Sequence, residues 1–184
     1  MKIITKKITL SLLGITIILV ITSLVIINLK FDNPLCLDNL DIRCKIKNDY
    51  MVKHIQKANF GGQVFCAHTV MGSDQAGEVI TEYLWAFCSE YIVENDELKQ
   101  ESGSRPPVVL TIESIKNSYL VFKHELPGDG SMYMEDIKRM FPKYILERKL
   151  FFVPSIFDRA DSRKIISRLI NESKRKAQIH FGLE

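Results

Sequence analysis

Familiar chemical signatures are scarce in this chain of 184 residues. Its four cysteines and four histidines never fall into a C-x-x-C or H-x-x-x-H spacing, so no contiguous metal-binding motif is present and no metal or cofactor is expected. Glycine is sparse, and neither Gly61-Gly62 nor Gly128-Asp129-Gly130 has the form of a phosphate-cradling loop; both read as turns. No internal repeat or low-complexity segment occurs. Acidic residues are missing altogether from residues 1–29, and residues 8–29 carry no charge of either sign.

That last absence is the most informative. The charge-free run, ITLSLLGITIILVITSLVIINL, is 22 residues long. As a helix it would extend about 33 Å, enough to cross a hydrocarbon core of roughly 30 Å. Lys2, Lys6 and Lys7 precede it, while Lys30 follows with Asp32 beside it. The positive-inside rule then keeps residues 1–7 in the cytoplasm and places the remainder outside. The run is longer than the apolar core of a cleaved signal peptide, and Val25-Ile26-Ile27-Asn28 is a poor cleavage site. Asn33-Pro34-Leu35 lacks the small residues that a lipid anchor on Cys36 would need. The expectation is an uncleaved signal anchor over residues 8–29, a connector over 30–45, and an extracytoplasmic domain over 46–184.

The formal net charge of +3 resides in the N-terminal tail. The rest is neutral but asymmetric. Residues 30–136 hold ten basic and seventeen acidic side chains, and residues 137–184 hold twelve basic and five acidic. The simplest expectation is that these halves pack together. Contact of the basic end with anionic lipid is the other reading. A nucleic-acid partner is not expected outside the cell.

Cys36, Cys44, Cys66 and Cys88 make an even set in an exported domain, which suggests disulfides in one of three connectivities. Cys36–Cys44 would close a short loop, and Cys66–Cys88 would tie the central sheet. A symmetric hairpin turning within residues 72–77 puts Cys66 opposite Tyr83, so the second pairing requires a bulge or another register. Free, buried cysteines are the competing reading.

Periodicity predicts a helix over residues 46–58 and strands over 63–71 and 78–93. Residues 94–106 read as an exposed polar loop. A hairpin follows over 107–113 and 119–126, with Leu120, Phe122 and Leu126 facing inward. Ser131 is an expected N-cap for a helix through Met140, Pro142 opens a short helix, and a last helix runs from Asp158 and Asp161 to about Ile179. This order gives an α+β domain: one helix, a four-stranded mostly antiparallel sheet, then C-terminal helices. By fold-level analogy it is cystatin-like or NTF2-like.

Few residues suggest chemistry. Cys66 and His68 share a strand face, which is the minimal requirement for a thiolate–imidazole pair. Glu78, Glu82 and Glu90 share a face of the next strand, and a solvated face explains them better than a general acid–base pair. The densest aromatic stripe is Tyr83, Trp85, Phe87 and Tyr91. It reads first as core; if the sheet were open and concave, it would line a binding groove.

Two stretches carry a resemblance. One contains Cys66, then Leu84, Trp85, Cys88, Glu90 and Tyr91; the other contains Gly103, Pro107, Leu110, Asp129-Gly130-Ser131, Tyr133 and Phe141-Pro142. Together they resemble a group of small uncharacterised exported or membrane-anchored bacterial proteins. Leu84 and Gly128 depart from that group's pattern. The resemblance implies an exported location and a shared fold, and it transfers no catalytic residues. The resulting expectation is a membrane-tethered extracytoplasmic binding or interaction domain, non-enzymatic, with a protein or peptide partner in the envelope. The alternative is an envelope hydrolase or thiol-dependent enzyme using Cys66 and His68.

Overall fold

A computed structural model of the chain describes residues 35–37, 41–116, 118–146 and 160–183. The expected membrane span over 8–29 lies outside the described residues. Among those described, no helix is long and apolar enough to cross a membrane.

Helix α1 runs Ile42–His54. Asp41 caps it, its carboxylate accepting from the Arg43 N–H at 2.9 Å, and Lys53 and His54 stand at the favourable C-terminal end of the helix dipole. The helix begins and ends about one turn earlier than apolar spacing suggests. Its buried face is Cys44, Lys47, Asn48 and Met51, and two of these are polar, so the hydrophobic pattern underreports it. The expected connector is therefore helical from Ile42 onward.

Five strands follow in one antiparallel sheet: β1 (Gln63–Ala76), β2 (Val79–Glu94), β3 (Glu97–Ser104), β4 (Pro107–Ile115) and β5 (Ser118–Glu125). The β1–β2 hairpin turns at Gly77-Glu78, where Gly77 takes φ +64° as the first position of a tight hairpin turn requires. A bulge at Met71 shifts the register, and Cys66 then falls opposite Cys88. Gly72, expected in the turn, is instead within the strand. A Cβ there would stand 2.9 Å from Ile145 Cδ1, so its lack of a side chain serves packing.

The polar segment 94–106, read as a loop, contains β3. Asn95 and Asp96 both adopt positive φ (53° and 63°), the geometry of a two-residue hairpin turn. β2 is long enough to serve two neighbours along one edge. Its C-terminal half pairs with β3 and its N-terminal half with β4. Arg105-Pro106 makes the step between them, with the Ala86 N–H donating to the Pro106 carbonyl at 3.1 Å. β5 carries a second correction. A bulge near Phe122 pairs Ile112 with Val121, so Val121 turns into the core while Leu120 and Phe122 are exposed. A one-residue shift of a strand exchanges its faces.

Beyond β5 a 3-10 turn (Gly130–Met132) leads into α2 (Tyr133–Met140), then α3 (Lys143–Leu146) and α4 (Ala160–Phe181). Ser131 lies inside the 3-10 turn rather than at an N-cap. The sheet is covered on both faces. Met51 of α1 packs on Leu84, Ala86 and Cys88. On the opposite face, Tyr83 and Trp85 pack with Ile137 and Met140 of α2, Ile145 of α3 and Ile166 of α4, and Phe87 meets Leu169 of α4.

Candidate functional site

The aromatic stripe is packed, not open. Tyr83, Trp85, Phe87 and Tyr91 are all buried, because the C-terminal helices lie over their face. The groove reading is corrected accordingly.

The three acids separate as well. Glu78 sits exposed in the hairpin turn. Glu90 is fully buried, accepting from the backbone N–H groups of Asn59, Phe60 and Gly62, each at 2.8 Å. Burial opposes its ionisation, but those three N–H groups and the Ser102 hydroxyl outweigh it and hold the carboxyl below its ordinary range. Glu90 thus organises the loop between α1 and β1. Glu82 accepts from Lys47 Nζ at 2.7 Å, with the two side chains only 17% and 6% exposed. The face is an inner one, occupied by bonded carboxylates, and not a solvated surface.

Both disulfides form: Cys66–Cys88 and Cys36–Cys44, and among the described residues no cysteine is free. Cys66 is therefore committed to Cys88 and does not stand as a thiol beside His68. His68 faces a different pair. Residues 35–37 lie along the outer edge of β1, where Leu35 bridges Thr69 and the Cys36 N–H donates to the His68 carbonyl at 3.0 Å. Cys44 comes down from the first turn of α1, and the Cys36–Cys44 bond fastens this edge segment to the helix.

Beneath that bond is the His68 imidazole, completely buried. Its Nδ1 meets the Asn48 amide oxygen at 2.7 Å. Its Nε2 is buried and has no hydrogen-bond partner among the described residues. Burial first, then the ammonium charges of Lys47 and Lys176, push this histidine well below its usual range and keep it neutral.

Above lies a cleft of about 330 Å³. The edge segment and α1 wall it, Cys36 and Cys44 lie along it, Leu35, Leu37 and Val70 make it apolar, and Asp41, Arg43, Lys47 and Glu82 supply charge. The remaining histidines stand apart. Tyr50 OH and His124 Nδ1 are 3.0 Å apart, with His54 nearby, and His180 packs edge-on against Phe65.

Cys36, Cys44 and His68 each offer a ligand atom within 4.8 Å of the others. No sequence spacing reveals this group, because its members come from an edge segment, a helix and a strand. Compared with known protein families, curated proteins and solved structures, the chain matches none.

Proposed function

We propose that this protein is a membrane-tethered, extracytoplasmic binding domain, non-enzymatic, whose ligand seats in the cleft between α1 and the β1 edge. The observation that carries the reading is the complete pairing of the described cysteines, which suits an oxidising compartment outside the cytoplasm. The charge-free run over residues 8–29 supports the tether. The cleft supports a ligand with an apolar part and a charged group, since it joins Leu35, Leu37 and Val70 to Arg43 and to the Lys47–Glu82 pair. The resemblance of the sequence to a group of exported or membrane-anchored bacterial proteins fits the same location.

The test is protease protection on intact cells stripped of their outer layers, using the full chain with a photocrosslinking residue in place of Leu37. The chain should stay in the membrane pellet after an alkaline carbonate wash, and external protease should remove the domain. Crosslinking from Leu37 should give a discrete adduct that the same probe at Phe122 does not. Recovery in the soluble cytosol, or protection until lysis, would overturn the tethered reading. Equal crosslinking from both positions would overturn the cleft.

A further inference from the structure

We propose that the Cys36–Cys44 disulfide and His68 are the closed form of a three-ligand site for a soft, thiophilic cation, opened when a dithiol reduces the bond. The inference stands on the geometry of these residues and does not depend on the membrane tether.

The two disulfides occupy different settings. Cys66–Cys88 joins directly opposed residues of adjacent strands inside the core, with a Cα separation of 4.1 Å. Its surroundings are apolar and it explains itself as a staple. Cys36–Cys44 instead lies along a cleft of about 330 Å³ that gives access from solvent, and a buried imidazole lies next to it. All three donors fall within 4.8 Å of one another. In a thiolate-bound zinc site with Zn–S of ~2.3 Å, two sulfurs stand ~3.8 Å apart. The sulfurs therefore need only separate by a small movement of the edge segment against α1.

The imidazole is already arranged as a ligand. An amide oxygen can only accept, so Asn48 Oδ1 at 2.7 Å places the ring proton on Nδ1. The lone pair is left on Nε2, the atom with no partner among the described residues. A metal-ligating histidine characteristically donates its other N–H in this way, which fixes tautomer and ring orientation. A buried acceptor without a donor is disfavoured in an ordinary core, and a cation would satisfy it.

The chemistry balances with one co-reactant. The dithiol gives two electrons and two protons to the S–S bond, which breaks into two thiols, and the dithiol closes to its own disulfide. Cation binding then displaces the two thiol protons. The resulting N,S,S donor set suits Cu(I) or Zn(II). Either the bond or the cation would fasten residues 35–37 to α1.

The experiment uses the full chain in detergent, fully reduced with a phosphine, and Cu(I) and Zn(II) as separate probes in competition with chromophoric chelators. Reduced protein should retain one equivalent of at least one probe, and oxidised protein none. X-ray absorption should report a mixed sulfur and nitrogen shell. His68→Gln and Asn48→Ala should each weaken binding by about 10–100-fold, whereas Cys66→Ser/Cys88→Ser should leave the stoichiometry unchanged. If reduction alone unfolds the domain, the cation should restore its circular dichroism, because binding and folding are then coupled. The proposal is overturned by reduced protein that retains neither probe, by His68→Gln binding as tightly as wild type, or by binding that disappears with Cys66 and Cys88.

Discussion

His68 and Glu90 show how single buried groups decide the response of this domain to acid. In the unfolded chain a histidine takes up a proton near pH 6.5. In the fold, burial and the neighbouring Lys47 and Lys176 charges refuse that proton. The stability that follows is complete above the unfolded value and is lost as the pH falls from about 6.5 towards the depressed folded value. Between about pH 7.5 and pH 5.5 the loss should be ~1 kcal/mol, because the unfolded state gains roughly one unit of protonation free energy there. Urea midpoints at the two pH values measure it, and the difference should shrink in His68→Gln. An unchanged wild-type midpoint would contradict it. Glu90 acts in a lower window. Its carboxyl is held below the ordinary value, so its contribution is present above ~4.3 and disappears as the pH falls through the folded value. Neither role was legible from spacing. The sequence sets His68 beside Cys66 whereas the fold sets it beneath Cys36–Cys44, because proximity along a strand is visible in sequence and proximity to an edge segment is not.

The β1–β2 hairpin illustrates what a local pattern can and cannot specify. Alternation of large apolar residues from Val79 to Val93 identified β2, but not the bulge at Met71 or the turn at Gly77 that set its register. Those two features bring Cys66 and Cys88 together across a separation of 22 residues. In the chain-entropy account, Cys66→Ala/Cys88→Ala should cost about 3 kcal/mol. The Cys36–Cys44 pair, 8 residues apart, should contribute less, about 2 kcal/mol on the same account. Denaturant unfolding of the two double variants ranks them, and the reverse order would say that the edge segment contributes more than loop closure does. β3 leaves no mark in the hydrophobic pattern for a related reason. Its residues are polar and mostly exposed or half-buried, so no hydrophobic alternation marks it, and only Asn95-Asp96 hints at its turn. On β5, a bulge reversed which residues face inward.

At the scale of the whole molecule, helices on both faces turn the sheet into a central layer. The two halves of the sequence meet at a few polar contacts. Lys176 of α4 donates to the Cys66 carbonyl at 2.8 Å, and Arg139 of α2 meets Glu125 of β5 at 3.5 Å. The Lys176 contact also guards the outer edge of β1, because the Cys66 carbonyl faces the same side as that of His68, leaving fewer free carbonyls for another chain to pair with. The described residues form one compact unit. A chain starting at residue 34, folded under oxidising conditions, should therefore unfold in a single cooperative transition. The only tryptophan, Trp85, is in the core, so its fluorescence should change together with far-ultraviolet circular dichroism. Separate midpoints for the two signals would show that the layers unfold independently.

Composition and periodicity by themselves determined the α+β class, the order of helix, sheet and helices, the even cysteine set, and the charge-free run whose placement lies outside the described residues. These are properties of local pattern, and local pattern is written in consecutive residues. Tertiary structure alone decided that the aromatic stripe is covered, that Glu82 and Glu90 are bonded inside, and that Cys36, Cys44 and His68 converge on one cleft. Each of those outcomes depends on bulges that shift register by one residue and on helices arriving from distant parts of the chain. Burial and proximity are sums over such neighbours, and no single segment carries them.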